Sequence, residues 1–259
     1  MDLKTLLFNK ESGIGWARIN RPEKLNALNA EVFADLETVL EACADDDDVR
    51  VLVITGNKSV FAAGADIDRM AKGNIKDAYA LTDGSMRIYE RLADYPKPTI
   101  AAISGYALGG GLETALCCDF RIGDETAVLG LPEINLGIIP GGGGTQRLPR
   151  LINYSLAAEL ILTGDMIKAD RALQLGLLNR VVPAADLEAE VKKFAGKLAA
   201  KPAMAVRAAK TAIRKGLNTS LKDGICIEQD LFCMLFGAVD QKEGMAAFVE
   251  KRKAKFTGK

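Results

Sequence analysis

Histidine is absent from this chain of 259 residues. Imidazole is the side chain that most readily gains and loses a proton near neutral pH, and it is the commonest metal ligand. Its absence excludes a Ser-His-Asp triad, a Cys-His pair and any histidine-ligated metal site. Proton transfer near neutral pH must therefore fall to carboxylates, lysines, tyrosines or cysteines whose pKa values are shifted.

An excess of charge of one sign is also absent, since 34 basic residues balance 34 acidic ones. No basic stripe with interleaved aromatic residues occurs, so we do not expect nucleic acid as a partner. No apolar run approaches the ~20 residues that a membrane span needs, and we expect no membrane partner. With 49% apolar residues, the composition is that of an ordinary globular protein.

The cysteines number only five and show no spacing typical of a disulfide framework. This pattern favours free thiols in a reducing compartment. Cys117 and Cys118 have no second cysteine pair to join them, so we expect buried structural thiols rather than a zinc site, and no metal or redox cofactor. The N-terminal segment Met1–Thr5 lacks the marks of a signal or transit peptide, which predicts a cytoplasmic protein.

The first two thirds of the chain alternate β-rich runs with helical patterns. Three runs are predicted to be strands: Gly15–Asn20, Val49–Thr55 and Thr99–Ser104. Four segments are predicted to be helices: Ala30–Ala44, Asp77–Leu92, Lys222–Phe236 and Gln241–Lys255. Strand, glycine turn and helix recur, which predicts βα crossovers and a largely parallel sheet. From about Tyr154 onward the pattern is mostly helical, so we predict an α/β core followed by a C-terminal helical subdomain.

Gly109–Gly111 follows a predicted strand and opens a predicted helix. Glycine lets the backbone turn sharply, and the first amides of a helix have no internal acceptor, so they suit a phosphate or a developing oxyanion. The spacing is not that of a dinucleotide-binding turn, because Glu113-Thr114 stands where the last glycine should be, and a P-loop is excluded. A tight contact between helix and sheet that requires small residues is the alternative.

Two glutamates, Glu113 and Glu133, lie twenty residues apart in glycine-dense settings. Glu113 falls in the first turn of the predicted helix, where a carboxylate is favoured and more often only stabilises the helix end. Glu133 lies among apolar residues, and partial burial would raise its pKa enough to hold a proton near neutral pH. Two carboxyls in different environments would supply a base and an acid. The spacing alone leaves their pairing in space open.

Phe61–Asp66 follows a buried strand and combines small residues with a single aspartate. Its amides could face a ligand, while the alternative is a helix start capped by Asp66.

Taken together, these segments resemble the crotonase, or enoyl-CoA hydratase/isomerase, superfamily. The matching segments run in family order and cover essentially the whole chain: Asn20–Leu28, Phe61–Ile67, Gly105–Asp119, Leu131–Gly137, Pro140–Leu148, Leu162–Asp165 and Glu243–Lys253. The resemblance implies a spiral of ββα turns with two roughly perpendicular sheets, and C-terminal helices that form a homotrimer or a homohexamer. We accordingly assign residues 1–195 to the core with the active site and residues 196–259 to a helical oligomerisation (trimerisation) subdomain.

The resemblance also implies a site that binds an acyl-CoA thioester. By motif position, the backbone amides of Ala65 and Gly110 form an oxyanion hole for the thioester carbonyl. In the hydratases of this family the first glutamate, here Glu113, activates water, and the second, here Glu133, delivers a proton to the α-carbon. The isomerases usually lack the first glutamate, so Glu113 favours a hydratase.

Contacts with coenzyme A are implied at two places in the chain. One group is Lys24, Ala63, Asp66, Ile67 and Asp68, near which the adenine and pantetheine would lie. Phe248 and Lys251 would reach the same ligand, across a subunit boundary. The charges at Glu23, Lys24 and Asp68 are not arranged as in some mitochondrial members, so the lysine that meets the 3′-phosphate stays open.

The function implied is reversible syn hydration of a short-chain trans-2-enoyl-CoA, with crotonyl-CoA as the expected substrate, as in fatty acid β-oxidation and butyrate metabolism. Coenzyme A is then part of the substrate, and no separate cofactor is expected. The alternatives are a Δ3,Δ2-enoyl-CoA isomerase and a non-catalytic, RNA-associated member of the superfamily. The neutral net charge speaks against RNA binding.

Overall fold

A computed structural model describes residues 1–259, with the side chain of Arg69 excepted. The strands are β1 (Leu6–Glu11), β2 (Ile14–Ile19), β3 (Val51–Thr55), β4 (Val60–Ala62), β5 (Thr99–Ile103), β6 (Tyr106–Leu108), β7 (Phe120–Asp124), β8 (Val128–Gly130), β9 (Met166–Lys168) and β10 (Arg180–Val182). The helices are α1 (Ala30–Ala44), α2 (Ile67–Met70), α3 (Ile75–Ala93), α4 (Gly110–Cys117), α5 (Gly144–Ile152), α6 (Tyr154–Thr163), α7 (Ala169–Gln174), α8 (Leu187–Ala199), α9 (Ala203–Gly216), α10 (Leu221–Leu235) and α11 (Val239–Val249). Short 3-10 helices span Pro22–Lys24, Pro132–Leu136 and Ala184–Asp186.

The strands form two sheets between which the chain alternates. The six-stranded sheet has the order β1-β2-β3-β5-β7-β10, and the four-stranded sheet has the order β4-β6-β8-β9. In the chain, β3, β5 and β7 of the larger sheet are followed by β4, β6 and β8 of the smaller sheet. Helices α2 and α3 follow the first of these pairs, and α4 follows the second. The pairing is parallel except for β1 with β2 and β8 with β9. This repetition confirms the predicted ββα spiral and its largely parallel sheets.

The central strands are apolar because both faces of the larger sheet are covered. All residues of β3 and β5 are buried, as is typical of parallel strands. One face packs into the main core with α1, α3 and α4. The other face carries Trp16 and packs against Val191 of α8. The division that we predict at residue 195 falls within α8 and stays a prediction.

Most predicted elements are confirmed, several boundaries differ by one or two residues or more, and local causes explain two of these differences. Helix α1 begins after Asn29, whose side chain accepts a hydrogen bond from the Val32 amide at 3.0 Å. Helix α3 begins two residues earlier than predicted, because Asn74 forms a capping box with Asp77. Helix α11 ends at Val249 rather than Lys255, since Lys251 adopts a left-handed conformation with φ 56°.

The C-terminal helices α9 and α10 pack against each other and leave an apolar face open. They approach so closely that a Cβ on Gly224 would lie 3.2 Å from the Cα of Gly216. No side chain of these two helices is buried, and Leu217 and Phe232 are 77% and 60% exposed. Across the part of the chain that the structure describes, we find no helix with the length and apolarity needed to cross a membrane.

Candidate active site

The glycine turn between β6 and α4 combines both roles that the sequence allowed. Gly109 has φ 50° and ψ −125°, which only glycine adopts without strain. A Cβ on Gly111 would lie 2.2 Å from the Ala62 carbonyl oxygen, so only glycine fits where this helix packs against β4. Gly110, by contrast, is the first residue of α4, and its N–H has no acceptor within the helix.

A second free amide, that of Ala65, lies beside the first. Leu28 donates to the Gly64 carbonyl at 2.8 Å, and its own carbonyl accepts from the Asp66 amide at 3.2 Å. Leu28 and Ala65 thus form an isolated parallel β-bridge. Its hydrogen bonds use the Gly64 carbonyl and the Asp66 amide, so the Ala65 N–H points away from Leu28. A Cβ on Gly110 would lie 3.9 Å from the Ala65 nitrogen, so the two amides share one small space. Neither N–H has a hydrogen-bond acceptor among the described residues.

Asn26, which sequence reasoning missed, holds the segment that leads to Ala65. Its side chain is fully buried and donates to the carbonyls of Val60 and Phe61 at 3.1 and 3.2 Å. Its Oδ1 accepts from the Arg21 amide at 2.9 Å. Its own φ of 56° lies in the left-handed region that asparagine tolerates. The segment is thus fixed by a buried amide side chain, and the Asp66 side chain makes no cap at α2.

The Glu113 carboxylate is buried and is held by a second glycine loop rather than by its own helix. Its Oε1 accepts from the amides of Gly142 and Gly144 at 2.7 and 2.8 Å. Burial raises the pKa of Glu113 above its usual value, and the Gly144 and Gly142 amides and the nearby Arg147 offset part of that rise. The two amides favour the charged form, as a general base requires. The alternative, that Glu113 only stabilises the end of its own helix, does not account for these contacts with the second loop.

Glu133 lies beside the Gly109 turn, in a more apolar environment than Glu113. A Cβ on Gly109 would lie 3.0 Å from Glu133 Oε1. The Oε2 atom is buried and has no hydrogen-bond partner among the described residues. Burial, and secondarily the charge of Glu113, raises the pKa of Glu133 to about 7, against a lowering by its own backbone amide. Burial thus raises the pKa of both carboxyls, but two amide donors offset the rise at Glu113, whereas Glu133 Oε2 has no donor and Glu133 retains a proton near neutral pH.

The loop that holds Glu113 could not be assigned from the sequence, although its glycines were visible. A Cβ on Gly142 would lie 2.6 Å from Glu113 Oε2 and 2.3 Å from Cε2 of Tyr89. Arg147 donates to the Gly142 carbonyl at 2.8 Å and so braces the loop. Gly143 has φ 97°, a left-handed value that glycine adopts freely. The signal was the run of glycines itself, but its target lies about thirty residues away and is set by the tertiary fold.

A cavity of about 830 Å³ adjoins Ala65, between α1 and α3. Apolar side chains form most of its wall, among them Leu28, Phe33, Met70, Leu81, Ile88 and Ile138. Charged residues such as Glu37, Lys72 and Arg87 also border it. Cavities of this size and lining commonly hold small organic ligands.

The predicted coenzyme A contacts fall into two groups. Ala63, Asp66, Ile67 and Asp68 surround Ala65 in the chain, and Lys24 lies beside them because its Nζ is 3.2 Å from Asp68 Oδ2. Asp66 lies 3.6 Å from Arg21. Phe248 and Lys251 lie at the end of α11, both exposed. Among the described residues, no hydrogen bond or ion pair joins them to the first group.

Replacement of Gly142 by alanine is expected to displace Glu113. The added Cβ cannot fit between the carboxylate and the Tyr89 ring, and a misplacement of about 1 Å costs roughly 10²-fold in rate. We expect kcat/KM of Gly142→Ala to fall by about that factor in an assay of the chemistry assigned below. Gly141→Ala is the matched control, since its Cβ would only meet Thr82 at an ordinary 3.5 Å. Equal activity of the two variants would contradict the role of the loop.

Comparisons with known proteins agree with this geometry. The family model described as enoyl-CoA hydratase/isomerase matches residues 9–259. The chain is similar to the crotonyl-CoA hydratase of Syntrophomonas wolfei, with 43% identity over 100% of both chains. It is also similar to the short-chain-enoyl-CoA hydratase of Clostridium acetobutylicum, with 39% identity over 98% of this chain and 97% of that one.

Solved structures give the same result for the fold. The enoyl-CoA hydratase of Bacillus anthracis superposes with a TM-score of 0.95 at 38% identity, over 99% of this chain and 100% of that one. Sequence and fold thus agree over essentially the full length, and the chain belongs to the enoyl-CoA hydratase/isomerase family.

Proposed function

We propose that this protein is an enoyl-CoA hydratase, a hydro-lyase that adds water reversibly and syn to short-chain trans-2-enoyl-CoA, with crotonyl-CoA as the expected substrate. The observation that carries the proposal is a pair of buried carboxyls beside two free backbone amides, one carboxyl held by two amide donors and the other with an oxygen that has no donor. The names of the relatives from S. wolfei and C. acetobutylicum support the same reaction and the same class of substrate.

The amides of Ala65 and Gly110 are assigned to the thioester carbonyl. When water attacks the β-carbon, electrons shift through the conjugated double bond onto that oxygen. Two N–H groups fixed in advance stabilise the developing negative charge, and loss of one such donor typically costs ~10²–10³ in rate. The backbone supplies both donors here, so the turn at Gly109 and the bridge at Leu28 are the features that position them.

The two glutamates are assigned opposite proton transfers. Glu113, charged and fixed through Oε1, orients a water molecule and takes one of its protons as the oxygen bonds to the β-carbon. Glu133 gives its proton to the α-carbon and becomes charged. Afterwards Glu113 releases its proton to solvent and Glu133 takes one up from solvent, which restores the starting state of both carboxyls. Both carboxyls lie near the same glycine turn, Glu133 beside Gly109 and Glu113 in the first turn of α4, as syn addition by this pair requires. Dehydration follows the same steps in reverse.

The first group of predicted contacts, with Lys24 and Ala63–Asp68, is assigned to coenzyme A, and the cavity beside Ala65 to the acyl chain. A homotrimer or homohexamer would cover the apolar face of α9 and α10, which a lone chain leaves open. It would also allow Phe248 and Lys251 of one subunit to reach coenzyme A in another. Light scattering with size-exclusion chromatography tests the assembly, and a monomer at micromolar concentration would contradict it.

The proposed function is tested with crotonyl-CoA and the wild-type protein. Loss of the enoyl-thioester absorbance, with formation of 3-hydroxybutyryl-CoA, is the expected result. Longer trans-2-enoyl thioesters should be assayed beside it, because the cavity volume gives room beyond four carbons. Conversion of a 3-enoyl thioester that persists in Glu113→Gln, with no hydration by the wild type, would instead indicate an isomerase. RNA binding without turnover would indicate the non-catalytic alternative.

A further inference from the structure

We propose that Tyr89 is a positioning residue that holds the Gly110 amide and the Glu113 carboxylate in fixed relation to each other. The inference rests on the proposed function, because it concerns the groups assigned to the thioester oxygen and to water. Tyr89 belongs to α3, a different element from the turn and the loop that carry those groups.

The hydroxyl of Tyr89 holds Gly110, whose amide is assigned to the oxyanion hole. Its Oη donates to the Gly110 carbonyl at 3.1 Å. Gly109–Gly111 has no side chains to restrict its backbone, so its peptide orientation depends on hydrogen bonds and packing. Thr114 Oγ1 also donates to the Gly110 carbonyl, at 2.9 Å, but it lies one turn along the same helix. Tyr89 is therefore the contact that ties this glycine to α3.

The ring of Tyr89 lies against the loop that holds Glu113. A Cβ on Gly142 would lie only 2.3 Å from Tyr89 Cε2, so the ring packs directly on the glycine backbone. The amide of the same glycine donates to Glu113 at 2.7 Å. One side chain thus contacts the residue that supplies an oxyanion amide and the residue that orients the base.

The Tyr89 side chain is also held in place by packing and keeps one protonation state. It is 2% exposed, and Phe33 packs edge-on against its ring with centroids 5.3 Å apart. Burial and the charge of Glu113 raise the pKa of Tyr89 well above its usual value. The phenol therefore stays protonated and remains a donor over the working pH range, which suits a positioning role rather than proton exchange with substrate.

Tyr89→Phe tests the role because it removes the hydroxyl and keeps the ring. We expect kcat with crotonyl-CoA to fall about threefold to tenfold, the rate equivalent of one neutral hydrogen bond, with KM nearly unchanged. Tyr95→Phe is the matched control. Tyr95 is equally buried and its Oη donates to the Leu40 carbonyl at 3.2 Å, away from the glycine turn. This variant should lose thermal stability but keep kcat.

Binding of 3-oxobutyryl-CoA gives a second readout that does not require turnover. Its enolate places negative charge on the thioester oxygen, whereas butyryl-CoA presents a neutral carbonyl. Tyr89→Phe should weaken enolate binding by about the factor lost in kcat and leave butyryl-CoA binding unchanged. Thr114→Val removes the other hydroxyl from the Gly110 carbonyl but keeps the contact with α3, so its selective loss should be smaller than that of Tyr89→Phe, and an equal or larger loss would contradict the role of Tyr89.

The two proposals fail separately. If the wild type does not hydrate crotonyl-CoA but Tyr89→Phe selectively weakens enolate binding, the proposed function is wrong and the positioning role stands. If Tyr89→Phe equals the wild type in kcat and in enolate affinity, the positioning role is wrong. The same conclusion follows if Tyr95→Phe shows equal losses, because Tyr89 would then act through stability alone.

Discussion

Glu113→Gln is expected to lower kcat for crotonyl-CoA hydration by about 10²- to 10⁴-fold, the usual contribution of a positioned general base. Glutamine has nearly the same shape, and its Oε1 can still accept from the Gly142 and Gly144 amides. The side chain therefore remains in place, but it can no longer take a proton from water. Because a buried charge is removed, we expect the thermal midpoint to stay the same or rise.

Asp35→Asn is the matched control for that variant. Asp35 is also a buried carboxylate that accepts from backbone amides, those of Lys4, Thr5 and Leu6 at 2.9, 2.6 and 3.2 Å. These contacts tie α1 to the N-terminal strand and not to the glycine turn. Its replacement removes a buried charge in the same way, and kcat should stay within about twofold of the wild type. A Glu113→Gln variant with near wild-type kcat would contradict the assignment of Glu113 as the base.

Glu133→Gln is expected to have an effect of similar size, about 10²- to 10⁴-fold in kcat, because the α-carbon loses its proton donor. The wild-type pH profile of kcat/KM follows from the same residue. Its pKa is raised to about 7, so Glu133 is protonated below that pH and ionised above it. Hydration needs the protonated form, and kcat/KM should therefore fall as pH rises above about 7.

The reverse reaction should show the same profile. Hydration consumes no net proton, so the ratio of kcat/KM in the two directions is independent of pH. In both directions the active enzyme carries one proton on the pair, on Glu133 for hydration and on Glu113 for dehydration. In the residual activity of Glu133→Gln the fall near pH 7 should disappear. Its persistence would assign that ionisation to another group.

Local features of this fold were predictable from the sequence because their causes are local. The bounds of α1 follow from an N-cap and an apolar stripe, and the burial of Cys117 and Cys118 is confirmed at 3% and 4% exposure. The start of α3 lies two residues before the predicted one, because Asn74 caps the helix ahead of the predicted segment. The two glutamates were identified from their glycine-rich surroundings, which are also local.

Features that depend on distant parts of the chain could not be predicted. The loop at Gly142 and Gly144 holds Glu113 only because the spiral folds back on α4. Tyr89 fits the apolar pattern of α3, and nothing near it in sequence indicates that its hydroxyl reaches Gly110. The protonation preference of Glu133 follows from burial and from the charge of Glu113, which spacing alone does not fix.

The most direct test of hydration by the two glutamates is to incubate crotonyl-CoA with the wild-type protein in water enriched in the heavy oxygen isotope. The mass of the product is then measured by mass spectrometry. We expect 3-hydroxybutyryl-CoA that carries one heavy oxygen at the β-carbon, formed about 10²- to 10⁴-fold more slowly by Glu113→Gln and by Glu133→Gln. Recovery of unlabelled thioester of unchanged mass from the wild type, whether untouched or with a shifted double bond, would contradict hydration by this pair of glutamates.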